Sequence, residues 1–192
     1  MARYLKILLL SLIVFNCFAQ TTTVSKHKAT TWLSVGDTYG GGKVAYILQA
    51  GDPGYVANTQ HGLIAATADQ GTAVTWWLSE YVVTSATGTA LGTGSANTTA
   101  IITVQGNTGS YAAKICRDYA GGGFTDWYLP SSVELSKLYT NRVAIGGFDT
   151  EYYWSSTETY LSTAHIINFT DGTTSDDGYK DYNMHVRAVR SF

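Results

Sequence analysis

Cysteine is almost missing from this sequence. Of its two cysteines, Cys17 falls in an N-terminal apolar run that reads as a signal peptide. The exported chain keeps Cys116 alone, so no intramolecular disulfide can form and stability must come from packing. Proline is equally scarce, at two residues against twenty glycines, which leaves the turns to glycine. Charge is thin: Asp, Glu, Lys and Arg make up 14% of the chain, and none occurs from residue 81 to 113. There is no basic patch to attract nucleic acid, which excludes it as a partner. No apolar run reaches the roughly 20 residues of a membrane-spanning helix, so no transmembrane segment is expected.

What is present begins with an export signal. Arg3 and Lys6 precede an apolar stretch over 7–15, and Ala19 stands before polar Gln20. That is a positive region, an apolar core and a small residue at the cut. The alternatives are a buried N-terminal helix and a lipoprotein anchored at Cys17. The polar residues 21–23 do not continue a helix, and Asn16 is a poor fit to lipoprotein processing. Residues 1–19 are therefore read as a signal peptide cleaved after Ala19, 20–35 as a Thr- and Lys-rich flexible lead-in, and 36–192 as one domain. Cleavage removes two cations and no acid, moving the formal charge from −2 to −4. The expected location is secreted or at the cell surface.

Local patterns then lay out the elements. Strands are expected over 43–48 and 61–66, with Trp76-Trp77-Leu78 inserted in the core. The Thr- and Gly-rich segment 84–95 reads as loop. Asn97 is placed as the N-cap of a helix over 98–105, and Ser110 as the cap of a second over 111–119. After the short strand 127–129, Pro130 stops the chain. Ser131 and Glu134 then form a capping box for a helix running to about 143, with Val133, Leu135, Leu138 and Tyr139 on its buried face. Three more strands are expected over 152–156, 164–169 and 184–190. The fold class is α+β: two main helices flanking short antiparallel strands with long loops.

Several segments together resemble one family: His61-Gly62-Leu63-Ile64-Ala65-Ala66, Asp126-Trp127-Tyr128-Leu129-Pro130-Ser131, Tyr153-Trp154-Ser155-Ser156-Thr157-Glu158 and Val186-Arg187-Ala188-Val189-Arg190. In order and spacing they are similar to the Lcl C-terminal domain family, also met as the FISUMP (major paralogous) domains. The resemblance implies a C-type-lectin-like fold and a surface or secreted protein. It also implies adhesion, since the better understood relatives bind sulfated polysaccharide. This chain departs from them in carrying no collagen-like stalk and a negative charge, which is unhelpful for a polyanion. A binding module is carried over, and the ligand is not.

Candidate chemistry is sparse. No pair of histidines has metal spacing, and Cys116 falls on an apolar helix face where a thiol is inert. That removes the arrangement of the formylglycine-generating enzymes hosted by the implied fold, so no enzyme is expected. Asp171, Asp176, Asp177 and Asp181 lie in a Gly-rich stretch and are the candidate ligands for Ca²⁺, though they do not match an EF-hand. The Trp-Asn-Asp strand of calcium-dependent lectins is absent at Trp154. No cofactor is therefore expected. Ligand contact is assigned to Tyr160, Tyr179, Tyr182, His165 and Lys180 on a loop-rich face over 157–182, joined by the 84–96 loop, because tyrosine offers large contact area at little entropic cost. Trp127, Pro130, Glu134, Trp154, Arg187, Arg190 and Cys116 are taken as structural, with Glu134 or Glu158 as the partner of an arginine. The expected partner is an extracellular glycan or protein. Self-association as a surface-layer or filament subunit is the alternative.

Overall fold

The computed structural model describes residues 32–192. The signal peptide read at 1–19, and the lead-in up to residue 31, lie outside the described residues. The strands are β1 (Thr38–Tyr39), β2 (Gly42–Ile47), β3 (Gly62–Ala65), β4 (Gly71–Val74), β5 (Tyr152–Glu158), β6 (Thr163–Asn168), β7 (Thr174–Tyr179), β8 (Met184–Val186) and β9 (Val189–Ser191). The helices are α1 (Gly94–Gln105), α2 (Ala112–Asp118), α3 (Ser132–Thr140) and α4 (Arg142–Ile145).

The strands form two sheets, ordered β1-β2-β3-β9 and β4-β8-β5-β6-β7. All pairings are antiparallel except β5 with β8, where Tyr153 lies opposite His185. This corrects the expected fold class. Two sheets carry the architecture and the helices are short, whereas the sequence pointed to two main helices flanking a few strands in a C-type-lectin-like layout. The physical reason lies at the sheet edges. β4 and β7 close the two sides of the second sheet: β4 is four small or β-branched residues, Gly71 to Val74, and β7 is mostly exposed and polar. Such strands lack the apolar alternation by which a strand is recognised. The strand expected over 184–190 is also two strands. β8 joins the second sheet and β9 the first, so Arg187 and Ala188 carry the chain from one sheet to the other.

Alternation along the strands divides the interior into two clusters. Ile64, Trp154, Ala164 and Ile166 face one, with Trp76, Trp127, Ile101 of α1 and Cys116 of α2. Leu63, Ala65, Tyr153, Ile167 and Phe169 face the other, under Leu135 and Leu138 of α3. Successive side chains on a strand point to opposite faces, so the central strands bury residues on both sides.

The capping box at α3 is present as read. The Ser131 side chain accepts from the Glu134 amide, and Glu134 accepts from the Ser131 amide. Val133, by contrast, is 38% exposed, on the outer face of that helix. Asn97 does not cap α1, which starts three residues earlier, and Ser110 does not cap α2. Gly94 permits the earlier start, because a Cβ there would lie 2.2 Å from a Glu134 carboxylate oxygen.

Buried Asn97 instead holds the neighbouring loop. Its Oδ1 accepts from the Gly88 amide and its Nδ2 donates to the Gly88 carbonyl. Glu158 accepts from the Thr84 and Ser85 amides, and Glu134 from the Gly92 amide. A buried backbone needs such partners where no strand supplies them. The loop, which ends at residue 93 and not at 96, is thereby fastened to the body.

Candidate functional site

Every strand of the second sheet contributes to one open cleft of about 790 Å³. Thr72 comes from β4, Met184 and His185 from β8, Tyr152 from β5, Ile166 from β6, and Ser175, Asp177 and Gly178 from β7. Glu151, Asp181, Tyr182 and Asn183 complete it from the adjoining turns. Ile166 and Met184 are largely buried and make an apolar floor. Gly178 allows β7 to close on β6: a Cβ there would lie 2.6 Å from Ile166 and 2.8 Å from the Trp154 ring. Tyr152 and Tyr182 stand half-exposed at the rim, and Tyr182 leans on Tyr179 with ring centroids 5.4 Å apart. Tyr81, stacked on Trp77, extends this aromatic edge. Partial desolvation and the neighbouring Asp181 raise its phenol pKa.

The lining carboxylates Glu151, Asp177 and Asp181 are exposed. None is paired with a Lys or Arg among the described residues. Behind them lies a buried network. Asp69 Oδ2 accepts from the Tyr153 hydroxyl at 2.7 Å, and its Oδ1 accepts from Arg187 Nε at 2.7 Å. His185 Nδ1 lies 2.8 Å from Asp69 Oδ2. A carboxylate offers only lone pairs, so the proton of that bond sits on Nδ1. Burial and Asp69 hold the Tyr153 phenol well above its ordinary pKa, which keeps it a donor.

Asp69, Asp149 and His185 bring ligand atoms within 4.8 Å of one another, close enough to share a metal ion. The donor set does not suit one. Both Asp69 oxygens are already taken, and the Arg187 guanidinium beside them opposes a second cation.

A family model described as the Lcl C-terminal domain matches residues 65–190. The chain belongs to the Lcl C-terminal domain family. The match begins in β3 and ends in β9, so it includes the whole second sheet and the cleft. The structure is also similar to the crystal structure of a fimbrial protein from Bacteroides ovatus. The TM-score is 0.51 at 19% identity, over 77% of this chain and 43% of that one. This chain thus spans less than half of that protein, and the likeness is one of fold. No curated protein matches the sequence.

Within this Lcl C-terminal domain the residues assigned to ligand contact separate. Tyr182 lines the cleft and Tyr179 stands beside it. Tyr160 is 69% exposed in the turn between β5 and β6, outside the cleft lining. His165 is also outside the lining and bonds Asp176 through Nδ1 at 2.7 Å. Lys180 is turned inward, 1% exposed, with Nζ 2.6 Å from Glu158 and also donating to the Val82 and Leu161 carbonyls. It is a structural cation and no ligand contact. Burial lowers its pKa, and Glu158 opposes that shift.

The four aspartates considered for calcium do not converge. Asp171 accepts from the Thr173 amide in its own turn, Asp176 holds His165, and only Asp177 and Asp181 line the cleft.

The structural residues also find partners the sequence did not name. Arg187 is fully buried on Asp69 and Arg190 is bidentate on Asp126, so neither meets Glu134 or Glu158. Trp127 and Trp154 are fully buried and bond the Gly121 and Val74 carbonyls. The Pro130 carbonyl accepts from the Ser156 amide. Cys116 is fully buried, and burial pushes its thiol pKa far up, which keeps it protonated and non-nucleophilic. Glu151, Asp69 and the inward role of His185 were missed. Only the fold places them together, because Asp69 and His185 are 116 residues apart.

Proposed function

We propose that the chain is a non-enzymatic recognition module, working at the cell surface or outside the cell, that binds an extracellular glycan in the cleft over the five-stranded sheet. The cleft itself carries this reading. Its volume of about 790 Å³ suits a few sugar units, whereas a protein partner needs a broad interface of roughly 800 Å² on each side. Its apolar floor and tyrosine rim suit the faces of sugar rings, and its carboxylates suit their hydroxyls. The export signal read in the sequence supports the location.

The test is a glycan array probed with the purified chain and with Tyr182→Ala. Binding that is lost in the variant supports the cleft. Binding that survives it places recognition elsewhere, and an array without signal removes the glycan reading.

A filament or surface-layer subunit is the second reading. It is favoured by the likeness to a protein described as fimbrial and by β7, which is an open sheet edge. Ordered polymers in the electron microscope, together with a silent array, would select it.

A further inference from the structure

We infer that the chain pairs with a second copy of itself about a two-fold axis, through an apolar patch on the loops at one end of the second sheet. The inference goes beyond the glycan reading and does not depend on it. Three segments distant in sequence meet at Lys180. Its Nζ donates to the Val82 and Leu161 carbonyls, and its amide to the Ser162 carbonyl. Its own carbonyl accepts from the Trp76 and Trp77 amides. The buried lysine thus joins the segment 76–83, the turn between β5 and β6 and the end of β7 into one surface.

On that surface Tyr81, Val83, Tyr160, Leu161, Tyr179 and Tyr182 are 37–69% exposed. Tyr81 stacks on Trp77 with ring centroids 4.3 Å apart, and Tyr179 meets Tyr182. A whole aromatic side chain carries roughly 150–250 Å², so the six together present on the order of 600–700 Å². That is at the top of what a monomer leaves open to water in one apolar patch, roughly 300–600 Å². It reaches what each partner covers in a stable interface, roughly 600–1,000 Å².

The chemistry of the patch points to a second copy as its cover. Only Glu80 and Asp181 bring exposed charge to these segments, and Asp181 sits against the Tyr81 hydroxyl. Lys180, their single cation, is held by Glu158. Such a surface has no charge pattern that would select a partner of opposite sign, and aromatic, charge-poor composition is that of an interface core. Apolar side chains complement themselves, and tyrosine hydroxyls both donate and accept, as an isologous contact requires. That contact closes on itself, giving a dimer and no filament. Tyr182 also rims the cleft, so the two clefts meet at the seam of the dimer.

The experiment is sedimentation equilibrium of the purified chain over a range of concentrations. A reversible monomer–dimer equilibrium in the micromolar range or tighter is expected. It should persist in about 1 M sodium chloride, which screens charge contacts and not apolar ones. Tyr160→Asp with Leu161→Asp should weaken it roughly a hundredfold or more, because carboxylates would be buried in an apolar contact. Val83→Asp, in a separate segment, should weaken it roughly tenfold or more. Val143→Asp is the control: Val143 is 88% exposed on α4, outside the patch, and the dimer should be unchanged. The near-ultraviolet circular dichroism of the buried tryptophans checks that each variant is folded. A chain that is monomeric at every concentration overturns the inference. So does a dimer that the folded patch variants leave intact, or one that salt or Val143→Asp dissociates. Species that grow past the dimer with concentration overturn the closed pair and favour the filament. The glycan array is unaffected by any of these results, so the two readings fail separately.

Discussion

Two stretches of this chain look alike as loops in sequence and behave oppositely in the fold. The segment 84–93 has no charge and no regular secondary structure, yet it is pinned in place. Glu158, Asn97 and Glu134 reach into it and bond its amides. The segment 171–183 is rich in acids and contains a strand, β7, whose Asp177 points outward without a cation. The difference lies in where carboxylates meet donors. Turned inward on amides and Lys180, a carboxylate fastens the chain. Turned outward and unpaired, it stays hydrated at the surface.

The largest test of that contrast is Glu158→Ala. It strips the partner from a Lys180 that is 1% exposed and from two loop amides, and should cost about 3–5 kcal/mol in chemical denaturation. Hydrogen exchange at Thr84 and Ser85 should quicken in parallel. A loss under about 1 kcal/mol would show that the ion pair does not hold the loop.

Next comes Asp69→Asn, expected to cost about 3 kcal/mol because Arg187 is left buried without a full charge partner. It also frees the His185 ring, so cleft binding should weaken as well. Binding unchanged in a folded variant would separate the network from the site.

Glu134→Gln is smaller, about 1–2 kcal/mol, since an amide cannot accept from both backbone donors as the carboxylate does. Its signature is pH. Burial raises the Glu134 pKa above its ordinary 4.5. The folded state therefore holds that proton more tightly, and stability falls as pH rises from the ordinary value through the raised one. The variant should lose that slope. Asp126 behaves in reverse: Arg190 lowers its pKa below 3.8, so its contribution is present above that value and is lost as pH falls through the lowered one.

Smallest is Asp177→Asn, within about 0.5 kcal/mol of the parent in stability. A larger loss would mean that the outward carboxylate is structural after all.

Legibility followed the range of the interactions. β2, β3, β5 and β6 were readable because buried apolar residues line them. The start of α3 was readable because Ser131 and Glu134 are three residues apart. β4 and β7 were not, because β4 is only four residues, Gly-Thr-Ala-Val, and β7 is an edge strand facing water with polar residues in no diagnostic order. Lys180 was misplaced for a related reason. A lysine among Asp and Tyr looks exposed until a carboxylate from another strand is seen beneath it.

By itself, the sequence determined that Trp127 and Trp154 belong to the core and that one helix is capped by Ser131 and Glu134. These depend on composition or on contacts within a few residues. Tertiary structure alone decided that the strands split into two sheets, that Arg187 meets Asp69 across 118 positions, and that Asp177 of β7 lines a cleft with His185. Each of those follows from strand order and register, which local propensity does not encode and which only packing of the whole chain selects.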